Sequence, residues 1–316
     1  MPQRRRKANG RHSVNLRQAA AVLAALAVTG CTAATSAASH PAAQAGSPRT
    51  PGSTEHSPSA RPPRPTPKPK PAVIPASVVV SSFRAADGSV ITLAEFRGAV
   101  TFRLHAGSGD PGYPALARLR AGPAVVGGER RRLVAAFNGG FKLSQGDGGY
   151  EQEGHVIGPL VRGLASLVID RSGAAVIGVW GYGLPRPGEA VDSVRQNLSL
   201  LVSHGQVTAG AADWGLWGAT LGGGELVARS ALGQDAAGQL VFAGSMSASP
   251  ADLAAALVHA GARRAMELDI NPEWVQLDVA RHPGHALTAA IPGQQRPADQ
   301  FLVGWIRDFI TVLASP

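Results

Sequence analysis

The chain reads as an α+β protein: a large, mostly antiparallel sheet with a few helices packed on it, a single domain behind a disordered tether. Three observations predict this class. Short apolar or alternating runs recur between tight turn signals, the pattern of successive hairpins. One helix is well signed at both ends, late in the chain. All of this lies after a Pro-rich stretch, in Ser77–Pro316, a length of about 240 residues that is ample for one core.

The elements follow in order. Residues 77–84 and 89–93 flank Asp87-Gly88, a hairpin turn, and 99–104 is a further strand. Leu133-Val134-Ala135-Ala136-Phe137 is an apolar run of the fully buried kind, opening into Asn138-Gly139-Gly140. Residues 165–169 and 174–180 flank Asp170-Arg171-Ser172-Gly173, and 198–202 and 206–207 flank His204-Gly205. Ser249 caps a helix over 251–259, Pro250 suits its first turn and Gly261 its stop. That helix joins a strand at 240–243 to one at 266–271, a strand-helix-strand crossover. A last helix is expected from about Asp299 to Leu313, with Phe301, Leu302, Trp305, Ile306, Phe309 and Val312 near helical spacing.

The first 76 residues carry a different message. Residues 1–30 read as a secretory signal: six cations from Arg4 to Arg17, then a short apolar run from Ala19 to Val28, too short to span a bilayer. The run ends in Val28-Thr29-Gly30-Cys31, which resembles a bacterial lipobox, with Cys31 as the lipidated residue. Cys31 is the only cysteine, which excludes an internal disulfide and a cysteine metal cluster. Residues 31–76 are rich in Ala, Ser, Thr and Pro and end in a run of alternating prolines, an extended tether. The expected product is secreted and anchored by lipid to the outer face of the cell membrane, a lipoprotein of the cell envelope.

This partition changes the meaning of the charge. The net charge is +9, from 30 Lys and Arg against 21 Asp and Glu. Six cations precede Cys31, and five cations with one acid lie between Cys31 and Ala76, so the remainder holds 19 cations and 20 acids. The folded part is not basic, and nucleic acid is not an expected partner.

The segment Met266-Glu267-Leu268-Asp269-Ile270-Asn271 carries the most chemistry. Strict alternation on a strand puts Glu267, Asp269 and Asn271 on one face. Neighbours on that face lie roughly 6.6 Å apart, a workable spacing for acid and base groups around one substrate. A half-exposed strand with a solvated face would show the same alternation. Asn138-Gly139-Gly140 after a buried strand lets backbone approach a ligand while an amide offers hydrogen bonds, although a plain turn has the same composition. The stretch 221–233 runs from a glycine loop to Arg229 and small residues; Arg offers a planar fork to phosphate oxygens.

Taken together, Asn138-Gly139-Gly140-Phe141, then Arg229-Ser230-Ala231-Leu232-Gly233 some ninety residues on, then the capped helix and the acidic strand, resemble the phosphodiester glycosidase family, in an actinomycete-like branch. The resemblance covers about Leu133 to Asn271. The sequence departs from the family pattern after Asp269, where Ile270-Asn271-Pro272-Glu273-Trp274 replaces glycines and a serine. The resemblance implies a hydrolase that cleaves the glycosidic bond of a sugar-1-phosphodiester in envelope or extracellular glycans. Arg229 would hold the phosphate, Asp269 would act as base or nucleophile and Glu267 as second carboxylate. Asn138, Gly139, Gly140 and Asn271 would orient the sugar. Arg195 and Asn197 share a strand face that could line the same cleft, and His155 follows the Asn-Gly-Gly turn on a polar loop, with Glu153 beside it. No cofactor is signalled; Ca²⁺ or Mg²⁺ held by Glu267, Asp269 and a phosphate is compatible with this set. Trp180, Tyr182, Trp214 and Trp217 fit core packing better than sugar stacking, and His282-Pro283-Gly284-His285 is too short for a metal site. The rival reading is a non-catalytic envelope lipoprotein that binds a glycan or wall polymer on the same fold.

Overall fold

A computed structural model of the chain describes residues 77–146, 148–218 and 223–315. The signal, the tether and Cys31 lie outside the described residues, as do Leu221 and Gly222 of the glycine loop. The strands are β1 (Val78–Arg84), β2 (Val90–Phe96), β3 (Val100–His105), β4 (Leu133–Asn138), β5 (Tyr150–Gln152), β6 (His155–Gly158), β7 (Ala165–Asp170), β8 (Ala175–Trp180) and β9 (Gly183–Leu184). They continue as β10 (Val191–Gln196), β11 (Leu200–Ser203), β12 (Gln206–Val207), β13 (Val227–Gln234), β14 (Leu240–Ala248), β15 (Arg264–Glu267), β16 (Leu277–Ala280), β17 (Leu287–Ala289) and β18 (Phe309–Ala314). The α-helices are α1 (Gly127–Arg132), α2 (Pro250–His259) and α3 (Gln300–Val303).

The expected α+β class holds, with the strands divided among three sheets. Their orders are β1-β2-β14-β13-β15-β11-β12, β6-β5-β10-β7-β8-β9 and β17-β16-β4-β18-β3. The ladders are antiparallel apart from the short β8–β9 pair. The crossover through α2 is present: β14 and β15 both run antiparallel to β13, which lies between them. Ser249 accepts from the Asp252 N–H at 3.1 Å while Asp252 accepts from the Ser249 N–H at 3.2 Å, a capping box worth about 1 kcal/mol.

Two cores flank the seven-stranded sheet. On one face α2 buries Leu253 and Leu257 against Leu93, Val241 and Ala243, each leucine worth about 1.5–3 kcal/mol. On the other face Phe96, Phe137 and Phe242 meet, with centroids 5.5 and 5.2 Å apart, and join strands of all three sheets.

The expected last helix is corrected by the structure. Only α3 is helical there, Gly304 breaks the chain at φ 128°, and residues 309–314 form β18, paired on both sides by β3 and β4. The β-branched run Ile310-Thr311-Val312 favours a strand, and a strand buried on both faces shows a continuous apolar run that imitates helical spacing. Residues 227–234, expected to hold a phosphate-binding Arg229 followed by small residues and assigned no element, form a buried central strand.

Candidate active site

The acidic strand keeps its alternation for three residues past the end of β15. Ser230 N–H donates to the Asp269 carbonyl at 2.9 Å and Leu268 N–H to the Ser230 carbonyl at 2.8 Å. Met266 and Leu268 therefore enter the core, and Glu267 and Asp269 share the other face. The expected face ends there: Asn271 turns its side-chain oxygen to the Glu273 N–H at 2.9 Å and gives its own N–H to Asp269 Oδ1 at 3.0 Å. Its role is to shape the turn beneath Asp269.

Glu267 and Arg229 form a fully buried pair, Nη1 to Oε1 at 2.8 Å. Arg229 also donates from Nε to the Ala248 carbonyl and from Nη1 to the Trp217 carbonyl, both at 3.2 Å. Its Nη2 and Glu267 Oε2 have no partner among the described residues. Arg229 is thus sealed within the protein, with one nitrogen left over, rather than presented as a fork. Burial pushes the Glu267 carboxyl up to about 8, against the pull of Arg229.

Asp269 is nearly buried. Its Oδ1 accepts from the N–H groups of Ile270 at 2.8 Å and Asn271 at 3.0 Å, and Oδ2 faces Arg307 Nη2 at 3.4 Å. Burial lifts its carboxyl to about 6, with Arg307 and the two N–H groups opposing the rise. Two neighbouring carboxyls are thereby pushed to different values, the usual mark of an acid and a base.

Arg307 and Asp308 are the residues that sequence reasoning missed. Arg307 also pairs with Asp110 at 2.6 Å and donates to the Gly140 carbonyl at 2.6 Å. Asp308 accepts from Arg195 Nε at 2.8 Å and from the Gly140 N–H at 3.3 Å, while its carbonyl takes the Gly139 N–H at 2.9 Å. The signal was an Arg-Asp pair inside an otherwise apolar run.

The Gly139-Gly140 turn is required by this packing. A Cβ on Gly139 would stand 2.0 Å from Asp308 Oδ2, and one on Gly140 2.8 Å from the Arg195 guanidinium carbon. Arg195 and Asn197 do reach the site, from behind. Arg195 donates to the Phe141 and Gln196 carbonyls. Asn197 accepts from the Phe141 N–H at 3.3 Å and donates to the Glu267 and Leu268 carbonyls at 2.9 and 3.1 Å. Asn138 is likewise engaged by the chain, donating to the Gly139 carbonyl and to Ser230 Oγ, both at 2.9 Å, and accepting from the Gln276 N–H at 3.1 Å. It ties β4, β13 and the approach to β16 together, so its amide orients strands and not a sugar.

His155 does not join this group. It is exposed at the start of β6, and its Nδ1 bonds to the Glu153 carbonyl at 3.1 Å. Glu153 holds Arg103 and Arg120 and the N–H groups of Arg120 and Ala121. Trp217 lies in the core, as expected. No group of three or more His, Cys, Asp or Glu side chains gathers as a metal site among the described residues.

Comparison with known proteins adds the following. Residues 131–269 match the family model described as phosphodiester glycosidase. The catalytic domain of zebrafish N-acetylglucosamine-1-phosphodiester alpha-N-acetylglucosaminidase, auto-inhibited by its pro-peptide, aligns at 15% identity over 78% of this chain and 85% of that chain, with a TM-score of 0.47. A Synechocystis protein aligns at 12% identity over 75% of this chain and 62% of that one, with a TM-score of 0.42. No curated protein matches the chain.

Proposed function

With residues 131–269 belonging to the phosphodiester glycosidase family, a family of hydrolases, we propose that this chain cleaves the glycosidic bond of a sugar-1-phosphodiester in envelope or extracellular glycans. The supporting observation is Asp269: a buried carboxylate held by two backbone N–H groups and Arg307, one strand position from the more strongly proton-holding Glu267.

The chemistry follows from those positions. The bond between the anomeric carbon and its oxygen breaks, and the phosphomonoester leaves with the bonding electrons. A phosphomonoester is a good leaving group, so a strong acid is less needed than a carboxylate on the sugar side. At neutral pH Asp269 is ionised and serves as base toward water or as nucleophile at the anomeric carbon. Glu267 keeps its proton and so adds no repelling negative charge beside Asp269. Arg307 steadies the carboxylate in place. The tight turn at Gly139 and Gly140 brings a flat stretch of backbone beside these groups.

Export and anchoring belong to the same proposal. Cys31 carries the lipid, residues 32–76 act as the tether, and the substrate is met outside the membrane. Among the described residues no helix is long and apolar enough to cross a membrane.

The test mixes the full chain with a panel of sugar-1-phosphodiesters, with and without Ca²⁺ or Mg²⁺, and follows free reducing sugar. The expected result is release by the wild type and a loss of about 10³-fold or more in Asp269→Asn, the scale at which a positioned base acts. No release from any substrate, together with glycan binding that survives Asp269→Asn, would replace this reading with the binding-only lipoprotein.

A further inference from the structure

Trp274 stands in the segment that follows Asp269, and three cations converge on its ring. The Arg307 guanidinium lies 5.6 Å from the ring centroid, that of Arg296 5.9 Å, and the Lys142 ammonium 5.7 Å. These are cation–π distances. The indole is half-buried and backed edge-on by Trp305 at 5.5 Å. The Trp274 backbone N–H donates to the Asn271 carbonyl at 2.8 Å, so the residue is tied into the turn that follows Asp269.

The three cations differ in what neutralises them. Arg296 is tied to Glu273 at 2.6 Å. Arg307 is shared between Asp110 and Asp269, yet its buried Nε has no partner among the described residues. Lys142 is exposed and enters no ion pair among the described residues. It directly follows the Gly139-Gly140-Phe141 turn, and the next residue, Leu143, gives its N–H to Asp110 Oδ2 at 3.3 Å. Lys142 and Arg307 thus approach one ring, and Asp110 links the backbone after Lys142 to Arg307.

We propose that Lys142, Arg307 and the face of Trp274 form the subsite for the phosphate of the substrate. This rests on the phosphodiester reading above and moves the phosphate away from Arg229, which is enclosed by protein. Lys supplies an unneutralised point charge at the surface, the Arg307 guanidinium a second positive charge beside the same ring, and the indole an apolar wall next to both. The Asp269–Arg307 contact, at 3.4 Å, is long for a charged hydrogen bond, so Asp269 holds Arg307 less tightly than Asp110 does at 2.6 Å. The product phosphomonoester carries more negative charge than the diester, so this subsite binds product more tightly and makes it an inhibitor. Trp274 and Arg307 lie outside the stretch matched to the family, residues 131–269, and Lys142 lies within it.

Calorimetric titration of the full chain with inorganic phosphate, and separately with methyl phosphate, tests this without turnover. Saturable binding is expected in the wild type, about tenfold weaker in Lys142→Ala, a difference of about 1.4 kcal/mol, and largely restored in Lys142→Arg. The exposed position of Lys142 keeps the substitutions clear of folding. Binding that is unchanged in Lys142→Ala, or no saturable binding by the folded wild type, would overturn the subsite. Phosphate binding that depends on Lys142 in a chain that cleaves nothing would sink the enzyme reading alone. Cleavage with phosphate binding indifferent to Lys142 would sink the subsite alone.

Discussion

Two arginine-carboxylate pairs lie one strand position apart and behave differently. Arg229 and Glu267 are fully enclosed, and the arginine is bound by backbone carbonyls as well as by the acid. Arg307 and Asp269, the outer pair, keep a trace of exposure, and the arginine serves two acids and a carbonyl and lies beside the half-buried Trp274 ring. Both pairs are buried, but burial lifts the Glu267 carboxyl further than that of Asp269. The inner pair is a structural element whose carboxyl is lifted furthest, and the outer pair is left with a carboxylate that ionises near neutrality. Position along one strand face, and not residue type, separates scaffold from chemistry.

The comparison can be broken most forcefully at the inner pair. Arg229→Met leaves Glu267 buried without its partner and is expected to cost about 3–5 kcal/mol. The sign with pH follows from the raised carboxyl. Folded Glu267 keeps a proton that the unfolded chain releases near 4.5, so stability falls as pH rises from there through the folded value. Without Arg229 the folded value rises further, so the loss in melting temperature should be greater at pH 8 than at pH 5. A loss that is equal at both would deny Glu267 this role. Next in size is Gly139→Ala. Its Cβ would collide with the Asp308 carboxylate, and about 1–3 kcal/mol of stability should go, with loss of the Arg195–Asp308 geometry visible in a crystal structure. Smallest is the pH profile. Hydrolysis that needs Asp269 ionised and Glu267 protonated gives a bell with limbs near about 6 and about 8. The acid limb should disappear from the residual activity of Asp269→Asn.

Much of the frame was legible in the sequence because its signals are local. Asp87-Gly88 and Asp170–Gly173 announced their hairpins, Ser249 and Pro250 the start of their helix, and the alternation through Asp269 placed two carboxylates on one face. What was not legible depends on distant pairing. Arg307 and Asp308 looked like an interruption of a helix because nothing in 299–313 reveals that β18 will be paired on both sides. Asp110 meets Arg307 from 197 residues away. Asn138 and Arg229 both meet the acidic strand or its neighbour Ser230, but their partners were not foreseen: burial gave their polar atoms to the chain. Trp274 was passed over because a ring's surroundings cannot be read from its neighbours in sequence.

The placement of β18 also sets an order of events. It joins β3 to β4, and its partners in β3 lie about two hundred residues earlier. A contact that closes so long a loop comes late and slowly. During synthesis the Gly139-Gly140 turn and the acidic strand leave the ribosome well before residues 307–314, so the cleft has no outer arginine and no anchor for its glycine turn until those residues arrive. The proposed site is therefore complete only once the strand that joins β3 to β4 in the five-stranded sheet has paired on both sides.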